Sequence, residues 1–416
     1  MLYIYRLFIN LALIISPLII TIRLLKNKEN LKRFTEKFGI IKQIRPRGKL
    51  IWFHVASVGE FQSIIPLLEK YETSKIISRI LITSNTLSSS KIISEVKLKK
   101  IIHQFFPIDH NFIVKKFIEY WNPSMALFVD SEIWPNMIIN LKKKNIPILL
   151  LNARLTKKSY KRWIKFRALS KLLFSKFDLC LSSNKESAGY LKNLGAKKIK
   201  YFGNLKYTQS KNEQIAIDTQ TKNFITKKRV WCASSTHQSE EKFAGQVHKL
   251  LKKKYNNLLT VIIPRHIDRE QKIKDEMFKL GLNVHLHEPK TKIQPNTDIY
   301  LVNSFGITKS FFSQIKNVFL GGSLVNHGGQ NPLEAAKFGC NILHGPNIDN
   351  FNEVYKFLKK QKISKKIYNE IQTANILKKL LSSKNYKKNI KNKIEHIGKK
   401  ILKENLYQIN KILNKI

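Results

Sequence analysis

The stretch Leu50-Ile51-Trp52-Phe53-His54-Val55-Ala56-Ser57-Val58-Gly59-Glu60 decides how the chain is read. Its first seven residues are mostly apolar and aromatic, as in a strand covered on both faces, and the run breaks at Ser57-Val58-Gly59. Glu60 then opens an amphipathic helix predicted over Phe61–Lys70. A strand running directly into a helix is the building unit of a parallel sheet, and in such sheets ligands collect beyond the carboxyl ends of the strands. Glu60 therefore belongs to the rim where chemistry is expected. A lone Glu there also has a plainer explanation, because an acid in a first helical turn favours the helix dipole and caps exposed amides.

A second stretch of the same kind changes the balance. Ala126-Leu127-Phe128-Val129-Asp130-Ser131-Glu132-Ile133-Trp134-Pro135-Asn136 is again a strand, an acidic turn and a helix start. Two acids at neighbouring strand ends suggest paired acid and base work, in which one carboxyl with a raised pKa is the general base and its partner stays ionised. Asp130 and Glu132 also offer oxygen ligands, but no His cluster or third acid stands near them in sequence, so no metal ligand is assigned.

The same alternation extends in both directions. Strands are predicted at Leu50–Ala56, Ile80–Ser84, Ile101–Phe106, Ala126–Val129, Ile146–Leu151, Leu179–Ser182 and Lys198–Phe202, with amphipathic stretches between them. A polar stretch follows, and then a second series at Val230–Ala233, Leu259–Pro264, Asn283–Leu286, Asp298–Val302, Asn317–Leu320 and Asn341–Leu343. The division expected is an anchor over 1–25, a first domain over 26–207, a linker over 208–228, a second domain over 229–383 and a terminal helix over 384–416. The fold class is α/β, with two doubly wound parallel sheets facing a central cleft. No internal repeat is found.

In the second series the informative loop is Gly321-Gly322-Ser323-Leu324-Val325-Asn326-His327-Gly328-Gly329-Gln330-Asn331-Pro332-Leu333-Glu334, between a strand and a helix expected to start near Pro332. Glycines let backbone N–H groups approach an anion, so a phosphate is expected there, with Glu334 placed to hold ribose hydroxyls. The loop matches neither the Walker pattern nor G-x-G-x-x-G. Pro264-Arg265-His266 and Ser304-Phe305-Gly306 follow two other strands and complete a three-loop nucleotide site, in which Arg265 would clamp phosphate and Phe305 would lie near the base. Ser234, Ser235, Thr236 and His237 add hydroxyls and an imidazole to that rim.

At the amino end, Leu7 to Ile22 is an apolar run of 16 residues interrupted by Asn10, Ser16 and Pro17. As a helix it rises ~24 Å against a hydrocarbon core of ~30 Å, and adding Leu24 and Leu25 makes spanning marginal, so an uncleaved anchor is expected, either spanning or interfacial, with a signal peptide or a buried helix of the first domain as the alternatives. Arg23, Lys26, Lys28, Lys32, Arg33 and Lys37 follow it, against Arg6 in front, so positive-inside logic keeps the remaining chain in the cytoplasm. A cleaved signal would carry its charges ahead of the apolar run. The whole chain has 416 residues, room for two or three domains at about 150 each. Lys and Arg number 76 and Asp and Glu 28, a net charge of +48, which calls for a polyanionic neighbour unless it reflects coding bias. Cys180, Cys232 and Cys340 form no C-x-x-C pair and suggest neither zinc nor a disulfide framework.

Taken together, Ala56-Ser57-Val58-Gly59-Glu60, Asp130-Ser131-Glu132-Ile133-Trp134-Pro135-Asn136, Asn152-Ala153-Arg154, Gly203-Asn204-Leu205-Lys206, Ser235-Thr236-His237, Pro264-Arg265-His266 and Asn331-Pro332-Leu333-Glu334 resemble, in order and across nearly the whole chain, the lipopolysaccharide 3-deoxy-D-manno-octulosonic acid (Kdo) transferases. That resemblance implies a GT-B glycosyltransferase with two Rossmann-like domains. It implies CMP-Kdo as donor, no cofactor, and the glucosamine disaccharide of a lipid A precursor (lipid IVA) as acceptor, on the cytoplasmic face of the bacterial inner membrane. The basic surface then has an anionic membrane and a phosphorylated acceptor as partners, with no nucleic acid required. By the same resemblance Glu60 is the proton acceptor, with Glu132 and Lys206 supporting the transition state. Pro264, Arg265, Ser304, Phe305, Gly306, Asn331, Pro332, Leu333 and Glu334 bind CMP.

An inverting displacement without a metal needs no more than these groups, and the chain has no Asp-x-Asp motif. Departures from the family pattern are Gln330, where His is frequent, Ala335, where Pro is frequent, and Ser239, where Gly is frequent. All three lie beside the expected CMP site. The alternative is another GT-B glycosyltransferase or epimerase using a UDP-sugar, which would share the Gly-rich loop and Glu334 but not the Glu60 and Glu132 loops.

Overall fold

The computed structural model describes residues 1–208, 217–289, 291–304, 306–383 and 390–416. The chain divides into two compact units, one formed by 1–210 with 397–416 and the other by 211–396. Each is built on a seven-stranded sheet whose neighbours all run parallel.

The first sheet contains β1 (Leu50–Val55), β2 (Arg79–Ser84), β3 (Ile101–Phe105), β4 (Met125–Val129), β5 (Ile148–Ala153), β6 (Leu179–Ser182) and β7 (Ile199–Tyr201), in the spatial order 3-2-1-4-5-6-7. Every residue of β1, β4 and β5 is buried, which follows from helices covering both faces. Trp52 fixes the centre of this core, its ring 5.1 Å from Phe117 and 5.5 Å from Phe128. The order reverses between β1 and β4, so the residues leaving these two strands line a topological switch point. Those residues are Ala56–Glu60 and Asp130–Asn136.

The second sheet contains β8 (Arg229–Thr236), β9 (Leu258–Pro264), β10 (Val284–Leu286), β11 (Ile299–Leu301), β12 (Asn317–Leu320), β13 (Asn341–His344) and β14 (Ser364–Lys366). Their spatial order is β10-β11-β9-β8-β12-β13-β14, with the switch between β8 and β12. Trp231, Phe243 and Phe319 belong to its core. Thirteen strands match the sequence expectation in place and order. The additional one, β14, is a Ser-Lys-Lys edge segment with no apolar run to announce it, and it pairs with β13.

The stretch read as a linker, 208–228, holds the helix Thr219–Thr226, where Asp218 accepts the Thr221 N–H and Ile225 is buried; residues 209–216 lie outside the described residues. The terminal helix is described from Ile390 to Leu413, and Ile394, Ile401, Ile409 and Leu413 are buried along it. Residues 384–389, the start of the predicted helix, also lie outside the described residues. Gly398 lets this helix approach the first unit's chain closely, since a Cβ there would stand 2.5 Å from the Tyr207 carbonyl oxygen. The amino-terminal helix runs from Leu2 to Leu25, longer than the apolar run alone suggested, and is long and apolar enough to cross a membrane.

Candidate active site

At the first switch point the sequence sets the geometry through one helix cap. Ser57 is the residue before the helix Val58–Glu72, and its hydroxyl accepts the Glu60 N–H. The Glu60 carboxylate in turn accepts the Ala56 N–H at 2.7 Å and the Ser57 hydroxyl at 2.9 Å. The cap explanation and the catalytic one thus describe the same side chain, because the cap bonds fix where the carboxylate points. Burial pushes the Glu60 pKa up to about 7, and the nearby charges of Asp130 and Glu132 push the same way against the two cap bonds. A carboxyl with that value exchanges its proton near neutral pH.

The turn after β4 holds Asp130 in the left-handed region at φ +63°, beside Asn152 at φ +51° at the end of β5. Asp130 pairs with Arg154 at 3.3 Å. Burial raises the Asp130 pKa, while Arg154 and Lys206 pull it back. The Asn152 side chain accepts the Leu205 N–H at 2.9 Å, and Asn204 accepts the Lys206 N–H at 2.9 Å, so the short helical turn Leu205–Thr208 is stapled beside the strand ends. Burial lowers the Lys206 pKa, Asp130 and Glu60 raise it, and Arg154 lowers it further. Glu60, Glu132 and Lys206, chosen from sequence and some 146 positions apart at the extremes (206 − 60), therefore share one electrostatic cluster with Asp130 and Arg154.

His54 belongs to no motif in the sequence. It lies inside the apolar run of β1 and is fully buried, with Nδ1 2.9 Å from the Thr83 hydroxyl and Nε2 3.3 Å from Glu132. Trp52 donates its indole N–H to the same Thr83 hydroxyl at 2.9 Å. Every group is satisfied if Thr83 donates to His54 Nδ1 and His54 Nε2–H donates to Glu132. Trp134 donates a second bond to Glu132 at 3.0 Å. A polar residue inside an otherwise apolar strand was the available signal.

The second switch point is built differently. Glu240, in the first turn of the helix Glu240–Lys252, accepts backbone N–H groups from His237, Gly322, Ser323 and Leu324 at 2.7–3.2 Å. A phosphate is expected at this glycine-rich loop, and the amides of Gly322, Ser323 and Leu324 in it are taken by an internal carboxylate. Gly321 is required by space: a Cβ there would lie 2.4 Å from the Ser235 carbonyl oxygen. Past the loop, Asn331 accepts the Leu333 N–H, Pro332 precedes the short helix Leu333–Lys337, and Glu334 lies in its first turn, half-buried.

Around this loop His237 stacks on His327 at 4.2 Å and stands 5.9 Å from His266. Burial lowers the His237 pKa to about 4, and the neighbouring His327, His266, Arg265 and Arg269 add to that effect. Arg265 and His266 leave β9 exposed, with the Arg265 N–H tied to the Thr236 carbonyl. Ser304, after β11, keeps a buried hydroxyl without a protein partner, and Gly306 has φ +84°. Phe305 lies outside the described residues. The structure thus gathers Pro264, Arg265 and His266 with the His237 rim in the second unit. Among the described residues no group of three or more His, Cys, Asp or Glu is arranged to hold a metal ion.

Two seven-stranded parallel sheets with helices alternating along the chain define the GT-B fold class. S. aureus MnaA, solved with UDP, superposes with a TM-score of 0.56 at 16% identity, over 88% of this chain and 98% of that one. Residues 32–209 match the family model described as 3-deoxy-D-manno-octulosonic-acid transferase (kdotransferase). The 3-deoxy-D-manno-octulosonic acid transferase of Rickettsia bellii is 33% identical over 98% of this chain and 99% of its own length. A protein named probable 3-deoxy-D-manno-octulosonic acid transferase, mitochondrial, from Arabidopsis thaliana is 33% identical over 85% of this chain and 82% of its own length. The chain belongs to the Kdo transferase family of glycosyltransferases, acting in lipopolysaccharide biosynthesis, and the UDP-sugar alternative gives way to that membership.

Proposed function

We propose that the protein transfers Kdo from CMP-Kdo to the glucosamine disaccharide of a lipid A precursor, lipid IVA, at the cytoplasmic face of the inner membrane. The observation that carries this reading is the Glu60 carboxylate, fixed by the Ala56 N–H and the Ser57 hydroxyl beside Asp130 and Glu132 at the first switch point of a chain that belongs to the Kdo transferase family. An acceptor hydroxyl loses its proton to Glu60 as its oxygen attacks the anomeric carbon of Kdo. The bond from that carbon to the phosphate oxygen breaks, the configuration inverts, and CMP leaves with the electron pair. Proton transfer of this kind contributes about 10²–10⁴-fold.

Lys206 and Arg154 offset negative charge around the acids, and the bonds from His54 and Trp134 fix Glu132 beside them. For the donor, Arg265 is exposed beyond β9 and suits a phosphate, while the Ser304 hydroxyl is an unmatched polar group that a ligand would satisfy. Pro264, Phe305, Gly306, Asn331, Pro332, Leu333 and Glu334 complete the proposed CMP site. No cofactor or metal is assigned a role. Incubating the purified full chain with CMP-Kdo and lipid IVA tests the reading by product mass. Lipid carrying added Kdo is expected, and unchanged lipid alongside intact donor would overturn it.

A further inference from the structure

The amino-terminal helix is fastened to the first unit at both ends. Near its start, Tyr5 donates to the buried Asp109 carboxylate at 2.7 Å, and Arg6 donates to Asn136 at 2.9 Å and Asn111 at 3.3 Å. At its far end Arg23 pairs with Glu29 at 2.7 Å, Glu29 pairs with Lys37 at 2.7 Å, and the Lys37 carbonyl accepts the Ile108 N–H. Between these ties, Tyr5, Ile9, Leu13, Ser16, Ile20 and Leu24 are partly or fully buried, spaced four, four, three, four and four residues apart. That is one continuous face of a helix. Other faces expose large apolar side chains, including Tyr3 at 83%, Ile14 at 76% and Leu25 at 80%.

A helix of 24 residues is about 36 Å long. If it crossed the hydrocarbon, its first turn would emerge on the side opposite residues 29–37. Asp109 and Asn136 would have to follow it, yet they stand at strand ends of the same sheet that Lys37 touches. We infer that this helix does not span the membrane but lies along its surface, as a fixed part of the first unit, with the exposed apolar faces sunk in an anionic lipid bilayer. Charge complementarity selects that partner: Lys26, Lys28 and Lys32 follow the helix with exposed side chains, and the chain carries +48. Asn136 bonds to Arg6 and stands four residues after Glu132, so seating the helix in lipid brings the acidic cluster to the headgroup layer. This consequence rests on the proposed lipid acceptor.

The test uses the full chain with a protease-cleavable tag ahead of Met1, in sealed inverted inner-membrane vesicles and in spheroplasts. Cleavage without detergent in inverted vesicles and protection in spheroplasts are expected. The reverse pattern, or recovery of the chain without membrane, overturns the inference. Kdo transfer assayed on the same vesicles separates the two readings: protection of the tag with transfer intact sinks the surface-lying helix alone, while cleavage without transfer leaves the helix standing and sinks the functional reading. In flotation, vesicles containing about one-third phosphatidylglycerol should carry the protein and pure phosphatidylcholine should carry several-fold less; equal or absent binding to both overturns the choice of anionic lipid.

Discussion

The two switch points occupy equivalent places in two parallel sheets, and each carries a glutamate in the first turn of a helix, half-buried at Glu60 and fully buried at Glu240. Glu60 accepts two short bonds from its own cap and feels the charges of Asp130, Glu132 and Lys206. Glu240 accepts four backbone amides and holds a loop in place. Burial raises both carboxyls, but four donors favour the charged form of Glu240, whereas two like charges add to the shift at Glu60. The contrast teaches that a helix-start acid exchanges its proton near neutral pH when its neighbours are other acids, and is favoured as a structural anion when its neighbours are amides.

That contrast can be broken most sharply by replacement at each site. Glu60→Gln keeps an acceptor for the Ala56 N–H but cannot take a proton, so turnover should fall 10²–10⁴-fold while calorimetry shows donor binding within about twofold of normal. Glu240→Ala should act oppositely. Leaving four amides without their acceptor is expected to destabilise the second unit by about 3–5 kcal/mol, read as a lowered thermal transition, and to weaken donor binding. Near-normal stability in that variant would remove Glu240 from its scaffold role.

The smallest effect sharpens the comparison at Glu60 itself. Its folded pKa of about 7 lies above the ordinary carboxylate range, so the native state loses stability as pH climbs through that interval and the half-buried group ionises. Gln has nothing to ionise. Glu60→Gln should therefore be more stable than the parent by about 1–2 kcal/mol at pH 8, with the gap closing by pH 5, when unfolding is followed by urea titration.

Much of this was legible in the chain. Apolar runs buried on both faces announce parallel strands directly, and the order of strand-end loops places Glu60 and Glu132 at one rim. Sequence could not show that Asn152 staples the Lys206 turn beside them, because its bond to the Leu205 N–H joins residues 53 positions apart. His54 hid within a strand that reads as apolar, and β14 hid because an edge strand of Ser and Lys needs only a neighbour to pair with. In the glycine-rich loop, only the fold brings Glu240 to the amides of Gly322, Ser323 and Leu324. For the amino-terminal helix, the apolar run announces its hydropathy, while its full extent and the ties to Asp109 and Asn136 come from tertiary structure.

The most direct measurement is the pH dependence of kcat/KM for Kdo transfer between pH 5 and 9. With Glu60 as proton acceptor, activity should fall on the acid side with unit slope below an apparent pKa of about 7, as the carboxyl takes up its proton. A profile that stays level down to pH 5 would contradict the assignment.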